Sequence, residues 1–297
     1  MIATLAPLFS DTCAFLPDAA PADLAPLQGV VFDWAGTLVD FGSLAPTQIF
    51  VEAFASFGMD ITLAQARGPM GLSKWQHIHQ LLQEPSIHAQ WLRVFGQAPQ
   101  DADVDAVYAR FMPLQIAKVG EFSAPIAGTA QVLQWLRDLG LRTGSCSGYP
   151  RAVLDQLLPQ AAAAGVAPEH VVAGDELAAG ARPGPFMALA NVLALGITDV
   201  RACVKVDDTV PGIEEGRNAG MWTVGLSLSG NEVGYSLAEY AQAPAEEVAA
   251  RIAAAEQKLR AAGAHYVVNS IQDLPGVLLE IAARMRAGAA PDGAQTV

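Results

Sequence analysis

The stretch VVFDWAGTLVDFGS, residues 30–43, decides the fold of this chain. Its first three residues form an apolar run that leads to a single carboxylate, Asp33, and the Gly-Thr pair that follows predicts a turn. A continuous apolar run is typical of a parallel strand that is covered on both faces. Two residues past Asp33, where a second acid would be useful, the chain has Ala35. The sequence therefore predicts a strand-end carboxylate that works without a neighbouring acid.

Five further β-rich runs separate longer stretches in which apolar residues recur with helical spacing. These runs cover residues 141–147, 170–175, 202–208, 221–228 and 264–270. Strands that alternate with helices favour an open, doubly wound α/β sheet with a mostly parallel order and a Rossmann-type core.

One region breaks this alternation. Residues 44–122 contain helical segments divided by proline breaks and no convincing strand, which is too long a stretch for a crossover. They predict an inserted, all-helical cap domain, so that the α/β core comprises residues 28–43 and 123–287. The two ends, residues 1–27 and 288–297, are expected to form a flexible extension and a disordered tail.

The composition excludes several classes of partner. The net charge of −13 at pH 7 argues against nucleic acid or an anionic membrane as the main partner. No apolar run reaches the ~18 residues of a membrane span. The three cysteines, Cys13, Cys146 and Cys203, fit no zinc or redox spacing, which indicates reduced thiols in the cytoplasm.

Polar groups follow three of the predicted strands. They are Asp33, the SCSG segment at residues 145–148, and the pair Asp207 and Asp208. Because the carboxyl ends of parallel strands meet at one edge, we expect these groups to converge. Carboxylates from different strands suit Mg²⁺, and a serine hydroxyl suits an anion. Arg182 in the segment ARPGP adds a cation.

Five segments together resemble the phosphonoacetaldehyde hydrolase (phosphonatase) family of the haloacid dehalogenase superfamily. They read FDWAGTLVDFGS (32–43), GPMGLSKWQHI (68–78), SGYPR (147–151), ARPGPFM (181–187) and EEGRNAGMWTVG (214–225). The resemblance extends over roughly residues 28–285. It implies hydrolysis of the C–P bond of phosphonoacetaldehyde to acetaldehyde and phosphate in 2-aminoethylphosphonate degradation, with Mg²⁺ as cofactor.

The resemblance gives Ala35 a chemical meaning. Phosphatases of the superfamily carry at this position an acid that protonates a leaving oxygen. A phosphonate instead loses a carbanion, which needs an electron sink such as the iminium of a lysine Schiff base. We expect that lysine to be Lys74 in the cap, with His77 three residues later as a proton relay and Met70 as an apolar neighbour. Such an amine needs a lowered pKa, which burial or nearby cations can provide.

Each of these three residues also has an ordinary structural interpretation. Lys74 could be a solvated lysine on a helix, because most lysines are exposed. His77 could satisfy a hydrogen bond inside the cap, and Met70 could fill the core.

The remaining site residues follow from the resemblance. It implies that Asp33 is the nucleophile that forms an aspartyl phosphate, and that Asp33, the backbone carbonyl of Ala35 and Asp208 bind Mg²⁺. Phosphate binding is assigned to Ser147, in preference to Ser145, and to Gly148, Tyr149 and Arg182. The family pattern has Gly in place of Asp207 and an acid in place of Gly212. Asp207 therefore either takes over part of the missing acid's work or leaves the metal more loosely held.

Two other functions remain open, and a dimer is expected. A phosphoester phosphatase or sugar-phosphate mutase could use the same scaffold, although both reactions need an acid at position 35. The chain could also be a catalytically silent binding module, although it retains Asp33, Lys74 and Arg182. The resemblance implies a homodimer, and the first cap helix offers apolar side chains for it at Ile49, Phe50, Phe54 and Phe57.

Overall fold

The computed structural model describes residues 16–293. Within them, six parallel strands form one sheet in the order β3-β2-β1-β4-β5-β6. The strands are β1 (Gly29–Phe32), β2 (Arg142–Cys146), β3 (His170–Val172), β4 (Cys203–Asp207), β5 (Trp222–Leu226) and β6 (Tyr266–Val268). All six predicted runs form strands, and the doubly wound parallel sheet is confirmed.

Twelve α-helices accompany the sheet in the described part of the chain. Five lie between β1 and β2: α1 (Leu44–Ala55), α2 (Leu63–Arg67), α3 (Lys74–Gln83), α4 (Pro85–Phe95) and α5 (Asp101–Lys118). Seven follow: α6 (Thr129–Asp138), α7 (Arg151–Ala163), α8 (Phe186–Ala194), α9 (Val210–Ala219), α10 (Leu237–Gln242), α11 (Ala245–Ala261) and α12 (Leu274–Arg286). None of these described helices is both long and apolar enough to cross a membrane.

The sheet order places a crevice at the carboxyl ends of β1 and β4. From β1 the chain continues on one side to β2 and β3 and later returns to the other side at β4. Such a reversal leaves room for a ligand. The register aligns Phe32 with Ser145 on β2 and with Val206 on β4. Asp33 and Asp207, each one residue further along, therefore lie side by side at the carboxyl ends of β1 and β4.

Helices α1–α5 have a hydrophobic cluster of their own. Phe50 and Phe111 are fully buried at its centre, and their rings stack with centroids 4.3 Å apart. Trp91 of α4 and Val107 of α5 close the cluster. The division of the chain into cap and core at the predicted boundaries stays a prediction, and this separate cluster supports it.

The side chains offered for a dimer surface are mostly buried within the monomer. Ile49, Phe50 and Phe54 lie in the cap cluster with at most 1% of their surface exposed, and only Phe57 is partly exposed. The argument for a dimer through this face of α1 is therefore wrong, because α3 and α5 cover the face. A dimer itself stays a prediction that does not depend on these residues.

Both ends of the described chain are packed, which differs from the predicted extension and tail. Leu24 and Leu27 are buried in the main hydrophobic cluster, and Arg286 donates to the Asp23 carbonyl oxygen at 2.6 Å. Near the other end, the Pro291 carbonyl oxygen accepts a hydrogen bond from Arg217 at 3.2 Å. The rest of the predicted extension and tail, residues 1–15 and 294–297, lies outside the described residues.

The cap cluster predicts a specific loss of stability. Replacing Phe111 by Ala removes a fully buried ring, and we expect the free energy of unfolding to fall by about 3–5 kcal/mol. Urea denaturation followed by circular dichroism measures this loss. Phe95→Ala on α4 is the matched control, because 44% of that residue is exposed and its removal should cost about 1 kcal/mol or less. Equal losses in the two variants would contradict the assignment of Phe111 to the cap core.

Candidate active site

A small cavity lies between the crevice of the sheet and the helices α1 and α3. It contains about 290 Å³ of empty space and is partly open to solvent. Eight predicted site residues line it: Asp33, Ala35, Met70, Lys74, Ser147, Gly148, Tyr149 and Arg182. Because residues from the cap and from the core form its walls together, the cavity exists only while the two are in contact.

Asp33 occupies the floor of the cavity. Its backbone N–H donates to the Val206 carbonyl oxygen at 3.0 Å, which extends the pairing of β1 and β4 by one residue. Its carboxylate Oδ1 lies 2.7 Å from Nη2 of Arg182. Burial raises the pKa of Asp33 to about 6, although the charge of Arg182 opposes this shift. A buried carboxylate held by one guanidinium is positioned to attack an electrophile in the cavity.

Arg182 is almost completely buried and bound on every side. Its Nε donates to Oε2 of Glu215 at 2.9 Å, and its Nη2 donates to the Cys146 carbonyl oxygen at 3.0 Å. Nη1 reaches across to the cap, where it donates to the Gly71 carbonyl oxygen at 3.4 Å. Several carboxylates around it keep its pKa well above the ordinary value despite burial. The guanidinium is thus a permanent cation with a fixed orientation.

Lys74 is the first residue of α3 and is only 4% exposed. Its Nζ lies between two aromatic rings, 5.0 Å from the ring centroid of Tyr149 and 5.7 Å from that of Phe50. Burial lowers the pKa of Lys74 to about 7, with Arg182 reinforcing and Asp33 opposing the shift. The interpretation of Lys74 as a solvated surface lysine is therefore wrong, and a large part of its amine is neutral near pH 7.

His77 lies behind Lys74 and does not line the cavity. Its ring stacks on Phe50 with centroids 3.9 Å apart, and its Nε2 lies 2.9 Å from the carbonyl oxygen of Ala66. Nδ1 is buried and has no hydrogen-bond partner among the described residues. Burial and the charge of Lys74 lower the pKa of His77 well below its ordinary value. The ring is neutral, and Nε2–H donates to Ala66, as the structural interpretation of this residue requires.

The loop after β2 forms the wall opposite the cap. The Ser147 hydroxyl oxygen accepts from the Tyr149 backbone N–H at 3.0 Å, so the hydroxyl proton stays free for an acceptor in the cavity. Ser145 is less available, because its hydroxyl accepts from Trp34 Nε1 at 3.0 Å and donates its proton to the His170 carbonyl oxygen at 3.3 Å. A Cβ at Gly148 would lie 2.5 Å from the Leu72 carbonyl oxygen, so glycine permits the cap loop to approach.

Three buried carboxylates meet beside the cavity. Oxygen atoms of Asp33, Asp207 and Asp208 lie within 4.8 Å of one another. Burial and the charges of Asp33 and Asp207 raise the pKa of Asp208 well above its ordinary value. Like charges this close are unfavourable without a cation, and an all-oxygen donor set suits Mg²⁺ or a similar hard ion. The residues present therefore fit a divalent metal ion.

Asp207 and Asp208 differ in the groups that donate hydrogen bonds to their carboxylates. Asp207 accepts from Lys205 Nζ at 2.7 Å and from the hydroxyl and N–H of Thr209 at 2.7 and 3.0 Å. Although burial opposes it, Arg182 and Lys205 hold the pKa of Asp207 below its ordinary value. Asp208 accepts from two neutral groups, the Thr37 hydroxyl at 3.1 Å and the Asn231 N–H at 2.8 Å. No cationic side chain of the described residues contacts Asp208 directly, so a metal ion is the cation that would favour its charged form.

Asp207 also explains why residue 212 is glycine. A Cβ at Gly212 would lie 1.9 Å from Cγ of Asp207, so the carboxylate fills the space that a side chain there would need. One position can carry an acid only if the other does not.

Sequence reasoning missed four residues that line the cavity: Ser43, Pro46, Gly71 and Thr209. Ser43 and Gly71 lie inside the motifs 32–43 and 68–78, and Thr209 directly follows Asp208, so the signal was present for these three but not for Pro46. A hydroxyl or a glycine in a motif, however, does not show which wall it faces.

Comparison with known proteins agrees with this arrangement. Residues 27–220 match the family model of haloacid dehalogenase-like hydrolases. The chain is 59% identical over 266 residues to a phosphonoacetaldehyde hydrolase of Salmonella paratyphi A, covering 89% of this chain and 99% of the relative. It is 56% identical over 268 residues to one from Vibrio cholerae serotype O1, with 90% and 99% covered.

A solved structure is also similar. The crystal structure of a phosphonoacetaldehyde hydrolase-like protein from Oleispira antarctica superimposes with a TM-score of 0.88 at 40% identity, covering 90% of this chain and 96% of that one. Identity at this level over nearly the whole length extends to the cap as well as the core. The chain is therefore an enzyme of the haloacid dehalogenase-like hydrolases and belongs to their phosphonoacetaldehyde hydrolase family.

Proposed function

We propose that this enzyme hydrolyses the C–P bond of phosphonoacetaldehyde through a Schiff base on Lys74 and an aspartyl phosphate on Asp33. One observation carries the proposal: a buried amine with a pKa of about 7 shares a small cavity with a buried carboxylate, and the residue two positions after that carboxylate is Ala35. The names of the relatives support the substrate.

In the first step the neutral amine of Lys74 attacks the aldehyde carbon, and loss of water gives an iminium. A pKa of about 7 leaves much of this amine neutral at pH 7, which is the form that attacks. The iminium that forms is a cation, and the rings of Phe50 and Tyr149, with centroids 5.7 and 5.0 Å from Nζ, offset part of the cost of burying it.

In the second step the carboxylate of Asp33 attacks phosphorus. The C–P bond breaks, and its electron pair moves into the carbon–nitrogen system to give an enamine on Lys74, while phosphorus becomes bonded to Asp33. Arg182, 2.7 Å from Asp33, and the Ser147 hydroxyl are placed to bind the phosphonate oxygens, with the Gly148 and Tyr149 backbone beside them. When bound by Asp33, Asp208 and the Ala35 carbonyl, Mg²⁺ would offset the negative charge of the phosphonate.

The last steps release both products. Water hydrolyses the aspartyl phosphate to regenerate Asp33 and free phosphate. The enamine takes up a proton at carbon, and hydrolysis of the resulting imine frees acetaldehyde and Lys74. We assign His77 as the proton relay in these steps. Its Nδ1, which has no hydrogen-bond partner among the described residues, supports this role, while its Nε2 binds the Ala66 carbonyl oxygen.

A phosphoester phosphatase or sugar-phosphate mutase is the second candidate. The carboxylate of Asp33 and the guanidinium of Arg182 would serve either of these enzymes equally well. Ala35, which lines the cavity, cannot protonate a leaving oxygen, and such an enzyme has no use for a buried amine. A silent binding module is disfavoured for the same reason, since the amine and the carboxylate share one cavity.

Two further expectations belong to this proposal. We expect a cytoplasmic enzyme, which the free thiols of Cys146 and Cys203 support, while Cys13 lies outside the described residues. We also expect a homodimer through the cap, which light scattering at micromolar concentration can test. The exposed Leu92, Val94 and Phe95 of α4 are apolar candidates for such a contact.

Lys74→Ala should abolish phosphate release from phosphonoacetaldehyde, because no other lysine of the described residues lines the cavity to form the imine. Borohydride with substrate should attach a two-carbon adduct to Lys74 in the wild type, detectable by peptide mass spectrometry. Lys118→Ala is the matched control, since Lys118 is an exposed cap lysine that pairs with Glu52. Phosphate release that persists in Lys74→Ala, or that occurs only with phosphoesters, would contradict the proposed reaction.

The activity should rise with pH through neutrality. Imine formation needs the neutral amine, so kcat/KM should fall about tenfold for each pH unit below the Lys74 pKa of about 7 and level off above it. An amine with the ordinary lysine pKa near ~10.4 would instead give a rate that still increases above pH 9, which would contradict burial of Lys74.

Mg²⁺ should stabilise the folded enzyme even without substrate. Binding to the native state alone adds about 2.7 kcal/mol at a hundredfold excess over Kd, which raises the Tm measured by scanning calorimetry after chelator treatment. Asp208→Asn should remove most of this rise, whereas Asp155→Asn, an exposed carboxylate of α7, should retain it. The same rise in Asp208→Asn as in the wild type would exclude Asp208 as a ligand.

A further inference from the structure

Arg67, the last residue of α2, extends from the cap to the core. Its Nη1 donates to the Gly42 carbonyl oxygen at 2.7 Å and to Oδ1 of Asn231 at 3.2 Å, and its Nη2 donates to the Gly234 carbonyl oxygen at 3.0 Å. A longer contact of 3.4 Å joins Nη1 to the Asn231 carbonyl oxygen. One cap side chain thus binds the segment that enters the cap, at Gly42, and the core loop that follows β5.

The core is shaped to receive this guanidinium. Gly234 has a φ of +66°, and a Cβ there would lie 2.7 Å from Cζ of Arg67. Asn231 returns a hydrogen bond, since its Nδ2 donates to the Arg67 carbonyl oxygen at 3.4 Å. The contact therefore involves the backbone as well as the side chain of Arg67.

The chain that runs from Arg67 to Lys74 is held at a second point. The Gly71 carbonyl oxygen accepts from Arg182, and a Cβ at Gly71 would lie 2.4 Å from Oγ1 of Thr209. A short segment fixed at residues 67 and 71 has little freedom at residue 74. The position of the Lys74 amine in the cavity that it shares with Asp33 therefore depends on where Arg67 docks.

The loop that receives Arg67 also touches the carboxylate cluster. The backbone N–H of Asn231 donates to Oδ2 of Asp208 at 2.8 Å, while its side chain accepts from Arg67. One residue of the core thus contacts both the cap and a candidate metal ligand. Docking of the cap and orientation of this carboxylate share a structural element.

We infer that Arg67 is a positioning residue for the reaction: by binding Gly42, Asn231 and Gly234 it fixes the cap segment 67–74 in the arrangement that brings Lys74 beside Asp33. The inference rests on the proposed imine function of Lys74. Arg67 itself does not line the cavity and touches no reacting atom. Loss of Arg67 should leave Lys74 and Asp33 chemically unchanged. It should reduce only the fraction of enzyme molecules in which the two side chains are close enough to act on one substrate.

The test compares Arg67→Met with Arg93→Met, an exposed arginine on the same cap, for phosphate release and for borohydride trapping on Lys74. Without Arg67 a smaller fraction of the free enzyme has the cap docked on the core, and part of the binding energy of the substrate is used to dock it. KM should therefore rise in proportion to the decrease in that docked fraction. We expect kcat/KM to fall roughly ten- to a hundredfold in Arg67→Met, with most of the change in KM. Trapping at limiting substrate should slow by the same factor, and Arg93→Met should match the wild type.

Two milder variants test the inference even if Arg67→Met fails to fold. Arg67→Lys should recover part of the activity, because an ammonium reaches some of these acceptors without bridging all of them. Asn231→Ala, which keeps the N–H to Asp208 but removes an acceptor of Arg67, should shift KM in the same direction with an unchanged unfolding transition.

The outcomes separate this inference from the proposed function. If the wild type is trapped on Lys74 and the Arg67 and Asn231 variants match it in KM and trapping rate, the positioning role is wrong and the imine function stands. If the wild type forms no adduct on Lys74, both are wrong. A fall in kcat with KM unchanged would also overturn the inference, because it would place Arg67 in the chemistry.

Discussion

The active site depends on the buried guanidinium of Arg182. Burying an ion costs several kcal/mol unless partners compensate it, and here Asp33, Glu215 and two backbone carbonyl oxygens do so. Lys205 joins the same cluster through Asp207 and Glu215. Such a network adds little to stability compared with an apolar core. Its value is orientation, since the guanidinium cannot rotate away from Asp33 without leaving other charges unpaired.

This cation also connects the two parts of the molecule. The core supplies the carboxylates, the cap supplies Lys74, and Arg182 contacts both through Asp33 and the Gly71 carbonyl oxygen. The glycines at 71 and 148 allow backbones from cap and core to approach within contact distance. The side chains that line the cavity therefore come from both α1–α5 and the sheet, and glycine at positions 71 and 148 permits this approach.

Much of the fold could be predicted because it is encoded locally. Continuous apolar runs indicated all six strands, and the motifs around Asp33 and Lys74 indicated residues that share one cavity. What the sequence could not predict concerns long-range packing. Spacing placed His77 near Lys74, yet its hydrogen bond to Ala66 depends on how α2 packs against α3. Likewise, the apolar face of α1 suggested a dimer because its cover, α5, is distant in sequence, and Leu24 gave no local sign of the core it joins.

The burial of Lys74 determines in which state of the enzyme its amine is deprotonated. The amine lies between Phe50 of the cap and Tyr149 of the core, so its low pKa exists only while the two are together. Separation would return the side chain to water, where a lysine is almost entirely protonated at neutral pH. The open enzyme would thus present an unreactive ammonium to other aldehydes around it. On the proposed imine function, the amine would become nucleophilic only when the cavity is closed around a molecule small enough to be enclosed.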